Sequence, residues 1–114
     1  MEECFENAAY ALFDQTVDLR SVSPVEKIHV ETSGETAEER LFNFLDELLF
    51  IEETERLFLC GFKVVFEDDK VICDAVGERL NFDKHITRTE VKAVTYHMLE
   101  VNENGPYVTV LFDI

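Results

Sequence analysis

Basic residues are scarce in this chain. Ten Lys and Arg stand against 25 Asp and Glu, a formal net charge of −15 over 114 residues. Binding along a nucleic-acid backbone needs Lys and Arg to displace counterions, so direct nucleic-acid binding is not expected. The same balance disfavours docking on an anionic membrane surface. It suits cations, a basic protein partner or plain solubility. Long apolar runs are also missing, and no stretch approaches the ~18–20 residues of a membrane span. Met1-Glu2-Glu3-Cys4 offers neither a basic region nor an apolar one, so no secretory signal is expected. The four glycines are scattered, which removes a phosphate-cradling loop. Neither a Gly-x-Ser-x-Gly elbow nor a His-Glu-x-x-His zinc motif occurs. The three cysteines, Cys4, Cys60 and Cys73, are an odd, widely spaced set. They read as reduced thiols of a cytoplasmic protein rather than a disulfide framework or metal site.

What remains is enough for one domain. Hydrophobic residues make up 46% and charged residues 31%, which argues against disorder. Residues 2–18 place Cys4, Phe5, Ala8, Ala9, Leu12, Phe13 and Val17 at helical spacing, without a capping residue before them. Ser21–Pro24 is a turn, and 25–32 alternates as a strand. Thr36-Ala37-Glu38-Glu39 has the capping-box pattern and opens the strongest helix, to about Glu52. Its stripe is Leu41, Phe42, Leu45, Leu48 and Leu49, widened by Phe44. From Leu57 the period changes towards two. Residues 57–67 form a strand with a bulge at Gly61, Asp68-Asp69-Lys70 turns, and 71–76 returns. Residues 77–88 read as irregular. A strand over 91–101, an Asn104-Gly105 turn and a return strand over 107–114 make a final hairpin. The expected fold is α+β: a mostly antiparallel β-sheet with two helices packed on it.

Few groups promise chemistry. A Cys-His nucleophile pair such as Cys73 with His97 is allowed by residue type alone. The doublets Glu2-Glu3, Glu38-Glu39, Glu52-Glu53 and Asp68-Asp69 are carboxylate-rich, but lack EF-hand spacing and read as solvated surface. Asp113 and the terminal carboxylate of Ile114 differ, because two oxygen donors on a stiff strand end make half of a cation site. Lys92 stands between Val91 and Ala93 in an otherwise apolar strand, tethered to a rigid element. Residue composition alone makes it an ordinary outward-facing position. A two-residue Asn104-Gly105 loop would set Asp113 opposite Tyr96, with Lys92 about one strand turn beyond it on the same face.

The stretch Thr89-Glu90-Val91-Lys92-Ala93-Val94-Thr95-Tyr96-His97-Met98-Leu99-Glu100-Val101 resembles the signature strand of the archeases. Phe5–Ala9, Phe13–Leu19, Leu41–Phe50, Gly77-Glu78, Lys84-His85 and Phe112–Ile114 follow the archease order, so the resemblance spans essentially the whole chain. It implies a single archease-like domain and a non-enzymatic accessory role. Archeases activate the RtcB-type RNA ligase of tRNA splicing and RNA repair, promoting its guanylylation and so its repeated turnover. The resemblance makes Lys92, with Glu90 beside it, the residues expected to support activation. It makes Asp113 and Ile114 ligands of a divalent cation, calcium being the expected one. The family's Asp-His-Thr-Ala-Asp segment and its strand are not among these residues. A form shortened at the N-terminus relative to the family is therefore expected, with one cation ligand gone and a sheet edge unpaired. The expected location is cytoplasmic, with the nucleus as a second compartment. The readings from other classes are a generic acidic or chaperone-like binding module and a metal-dependent hydrolase. The module predicts salt-sensitive binding to many basic proteins. The hydrolase needs a complete ligand set in one pocket.

Overall fold

The computed structural model describes residues 1–114, and the expected α+β class is what it contains. Helix α1 spans Glu2–Thr16 and α2 spans Ala37–Glu55. The strands are β1 (Glu26–Ser33), β2 (Leu57–Glu67), β3 (Lys70–Arg79), β4 (Ala93–Asn102) and β5 (Tyr107–Asp113). All pairing between strands is antiparallel. Strands β1, β3 and β2 form one sheet in that order, and β4 pairs with β5 in a separate hairpin. The expectation of one sheet under two helices is thus corrected in detail. Each helix touches both β units, α1 packing on β2 and β5 and α2 on β1 and β4.

Local sequence explains the boundaries. Thr36 Oγ1 accepts the Glu39 N–H at 3.1 Å, and Glu39 reaches back to accept the N–H of Glu35 at 3.0 Å. These bonds satisfy donors that the first turn of α2 leaves open. Helix α2 stops at Arg56, which takes a left-handed conformation (φ 55°). Helix α1 ends two residues earlier than its apolar stripe suggests. Val17 is extended and buried, and Asp18 caps the following 3-10 turn, Leu19–Ser21.

Strand β3 runs to Arg79 rather than stopping at Val76. Gly77 explains the extra length: a Cβ there would lie 2.0 Å from the Phe58 carbonyl oxygen, so only glycine lets β2 pair closely at this point. The bulge falls one residue before the expected Gly61, with Cys60 left out between the Leu59–Gly77 and Gly61–Val76 pairs.

The two helices meet over aromatic rings. Phe5 lies 6.1 Å from Phe44 and 4.9 Å, edge-on, from Phe66. Leu12, Phe13, Leu41, Leu45 and Leu48 fill the rest of the helical side, against Leu57, Leu59, Val64, Val71 and Cys73 of the sheet. Phe44 is fully buried, whereas Phe42 is half-buried and packs against Tyr96 at 5.3 Å.

Candidate functional site

The segment that carries Glu90 and Lys92 is irregular over residues 80–92, yet it is tied down at several points. The end of α1 holds one side. Asp18 N–H donates to the Ile86 carbonyl at 2.7 Å, Arg88 N–H to Thr16 at 2.8 Å, and Thr89 N–H to Gln15 at 2.9 Å. The Asp18 carboxylate accepts from Arg20 Nε and Nη2, and Arg88 pairs with Asp14 at 3.0 Å. The side-chain bond from Arg20, followed by its backbone N–H, holds the Asp18 carboxyl down at about 2.

A second tie is Glu78. Its carboxylate accepts from Lys84 Nζ at 2.8 and 2.9 Å, from His85 Nε2 at 2.8 Å and from the Ser23 N–H at 3.1 Å. The Lys84 bond and then the His85 bond lower its pKa to about 2. His85 is buried, edge-on to Phe58 at 5.5 Å. Its Nδ1 accepts the Asn81 N–H at 2.9 Å, so Nε2 carries the proton given to Glu78. Reading residues by type missed this knot. The resemblance marked Gly77-Glu78 and Lys84-His85, but nothing in the residues joined them to each other or to Ser23.

Beyond these ties the chain enters β4 with Val91 buried and Lys92 exposed. The Lys92 N–H donates to the Asp113 carbonyl at 2.6 Å, and Ala93 pairs with Asp113. The expected pairing of Asp113 with Tyr96 is therefore corrected. Near the turn the register is as expected, with Asn102 opposite Tyr107 and Val101 opposite Val108, but the loop is the four residues 103–106 rather than Asn104-Gly105 alone. It then shifts between Thr95 and Glu100, where Tyr96–Leu99 face the single residue Val110. Met98 sits at the centre of this bulge with φ 58°. The shift brings Asp113 and Ile114, both exposed, next to Lys92.

Glu90 lies apart from that group. It shares a cleft of about 430 Å³ with Glu52, Glu53 and Arg56, over Phe58 and Leu80. Burial, and then the charges of Glu53 and Glu90, raise the pKa of Glu52.

No three His, Cys, Asp or Glu side chains gather anywhere in a way that would hold a metal ion. Asp113 brings a carboxylate to this strand end, with Ile114 beside it, where calcium takes six to eight oxygens. Cys73 is buried in β3 while His97 is exposed in β4, in different sheets, so they form no nucleophile pair. No helix is long and apolar enough to cross a membrane.

Comparison with known proteins agrees with this arrangement. The model of the archease protein family (MTH1598/TM1083) matches residues 1–114. A protein archease of Pyrococcus furiosus is 41% identical over 105 residues, covering 89% of this chain and 74% of that one. The protein archease of Danio rerio is 33% identical over 119 residues, covering all of this chain and 74% of its own. The solution structure of Methanobacterium thermoautotrophicum protein 1598 superposes with a TM-score of 0.82 at 40% identity, covering 99% of this chain and 84% of that one. The chain belongs to the archease family.

Proposed function

We propose that this chain is an accessory protein that activates an RNA ligase of the RtcB type. In this reading it promotes guanylylation of the ligase, so that RNA ends are joined over many turnovers in tRNA splicing or RNA repair. It does not join RNA itself. The observation that carries the reading is the family match over the whole chain. Two features of the molecule support it. Lys92, Asp113 and Ile114 stand together, exposed, at one end of the β4–β5 hairpin. A point charge and two carboxylates on a rigid strand pair suit contact with a phosphate-handling partner. The net charge of −15 also complements a ligase whose RNA groove is positive. Such a partner places the protein in the cytoplasm or the nucleus.

The test is multiple-turnover ligation by an RtcB-type ligase with a substoichiometric amount of this chain. Product should exceed one turnover per ligase only when the chain is present. Lys92→Ala and Asp113→Ala should each remove the effect. Product held at one turnover with the folded wild-type chain present would overturn the proposal. A generic acidic module predicts instead salt-sensitive capture of many basic proteins, with no response to either substitution.

A further inference from the structure

The face of the three-stranded sheet turned away from the helices carries an open depression of about 630 Å³. Two adjacent rows of side chains build it. Lys27, Val76 and Gly61 pair across β1, β3 and β2, and the next row is His29, Asp74 and Lys63. Gly61 raises no side chain from the floor. A Cβ there would come within 2.8 Å of Val76 Cγ2, so any other residue would begin to fill the space. The floor is therefore Val76 and bare peptide planes, a surface on which a flat ring can lie.

The rim is cationic. Lys27, His29 and Lys63 face one carboxylate, Asp74, and that carboxylate is already held by His29 Nδ1 at 2.7 Å. The second ring nitrogen of His29 meets Glu31 at 2.7 Å. Each ring nitrogen thus meets a carboxylate, an arrangement that favours the charged imidazolium. Ion pairs elsewhere engage Arg20, Arg79, Lys84 and Arg88, whereas Lys27 and Lys63 make none, although Lys63 also borders Glu2, Glu3 and Glu6. The two lysines stand at diagonal corners, roughly 12 Å apart at Cα from strand spacing and rise. Their flexible stems let both ammonium groups reach a single phosphate between them.

The geometry points to a binding site for a ligand of the mononucleotide class. A planar base lies on Val76 and the peptide planes beside Gly61, and its phosphate sits between Lys27 Nζ and Lys63 Nζ. A polymer with many phosphates meets the net charge of the whole molecule, but one phosphate needs only this local pair. Asp74, the side chain best suited to read a base edge, is committed to His29, so the site discriminates weakly between bases. The site is separate from the hairpin end that holds Lys92 and Asp113, and it stands whatever becomes of the ligase reading.

Titration of the full chain with AMP and GMP, followed by amide NMR shifts, tests this. Saturable shifts are expected at residues 27–29, 61–63 and 74–76, with similar affinity for both nucleotides. The Lys27→Ala/Lys63→Ala variant should bind about tenfold or more weakly, the scale of losing two charge-assisted contacts at an exposed site. Lys70→Ala, an exposed cation of β3 outside the lining, should bind as the wild type does. Absence of shifts at these amides would overturn the proposal. So would equal affinity in the double variant, or equal affinity for adenosine. Inorganic phosphate binding as tightly as AMP would overturn the role of the floor and leave only an anion site.

Discussion

The backbone N–H of Lys92 donates to the carbonyl oxygen of Asp113 at 2.6 Å, which locks the start of β4 to the end of the chain. The bond uses the Lys92 backbone and leaves its side chain in solvent. Structure and the proposed activation are therefore separable at this residue. Lys92→Ala keeps the bond, and its unfolding free energy should stay within about 0.5 kcal/mol of wild type, as for other surface substitutions. Ligase turnover should fall to the unassisted level. Lys92→Pro removes the donor as well, and should lower stability by about 1 kcal/mol or more. Thermal unfolding of the two variants beside the ligation assay checks both halves. A Lys92→Ala protein that melts well below wild type would show that the side chain has a structural role.

The register shift that places Asp113 beside Lys92 rests on Met98, a non-glycine residue at φ 58° that is 69% exposed. A side chain in the left-handed region costs on the order of 1 kcal/mol, and an exposed methionine returns little packing. Met98→Gly should raise the melting temperature by a few degrees, for a gain of about 0.5 kcal/mol after glycine's larger unfolded-state entropy. Met98→Val, β-branched, should lower it. A Met98→Gly protein with a lower melting temperature would mean that the bulge depends on the methionine side chain.

This bulge also marks the limit of what residue patterns reveal. Element types were legible because apolar spacing is regular: the Leu41–Leu49 stripe and the capping box at Thr36 each follow a fixed local rule. The register of β4 on β5 was not. A turn fixes pairing only up to the first irregularity, and nothing about Met98 announces a left-handed backbone. The length of β3 was missed for a related reason, since the close approach at Gly77 is a contact with Phe58 of another strand. Lys92 and Asp113 could be singled out by type and position, but their direct backbone bond could not. The Glu78 knot escaped because Ser23, Lys84 and His85 converge from two distant segments.

That knot makes stability sensitive to acid. Glu78 and Asp18 both have folded pKa values of about 2, below the ordinary carboxylate range, because Lys84 and Arg20 respectively bond to the charged forms. A depressed folded value means stability that is present above the unfolded pKa and lost as pH falls towards the folded one. The melting temperature should therefore hold near pH 6 and drop between about pH 4.5 and 2. Glu78→Gln should melt lower than wild type at pH 6 and converge with it near pH 2. Parallel pH profiles, offset equally at every pH, would show that the charge of Glu78 is not what matters.

His29 works in the opposite direction. Bonds from its ring to Asp74 and then to Glu31 raise its pKa above the ordinary histidine value of 6.5. A raised folded value means a contribution fully present below 6.5 and lost as pH rises through the folded pKa. In a proton NMR titration the His29 ring should titrate above pH 6.5, and Asp74→Asn should bring its midpoint down. Because the cluster is exposed, the effect on melting should be small and screened by salt. A midpoint at or below 6.5 in the wild type would show that the two carboxylates do not hold the ring in solution.

The cysteines give a separate probe of the core. All three thiols are free; Cys73 is fully buried, while Cys4 and Cys60 are partly exposed. Burial pushes the Cys73 thiol up to about 11, and burial also raises Cys60. The thiolate is the reactive form, so both position and pKa protect Cys73 at pH 8. Iodoacetamide at that pH should label Cys4 first and Cys60 more slowly. Cys73 should be labelled only through opening of the sheet, at a rate that rises with denaturant. Its side chain packs between β1 and β2, opposite Val30 and Val64, so that opening must separate strands rather than fray an end. Mass spectrometry of peptides after timed labelling reads the order directly. Labelling of Cys73 as fast as Cys4 in native buffer would mean that β3 is not the buried centre of its sheet.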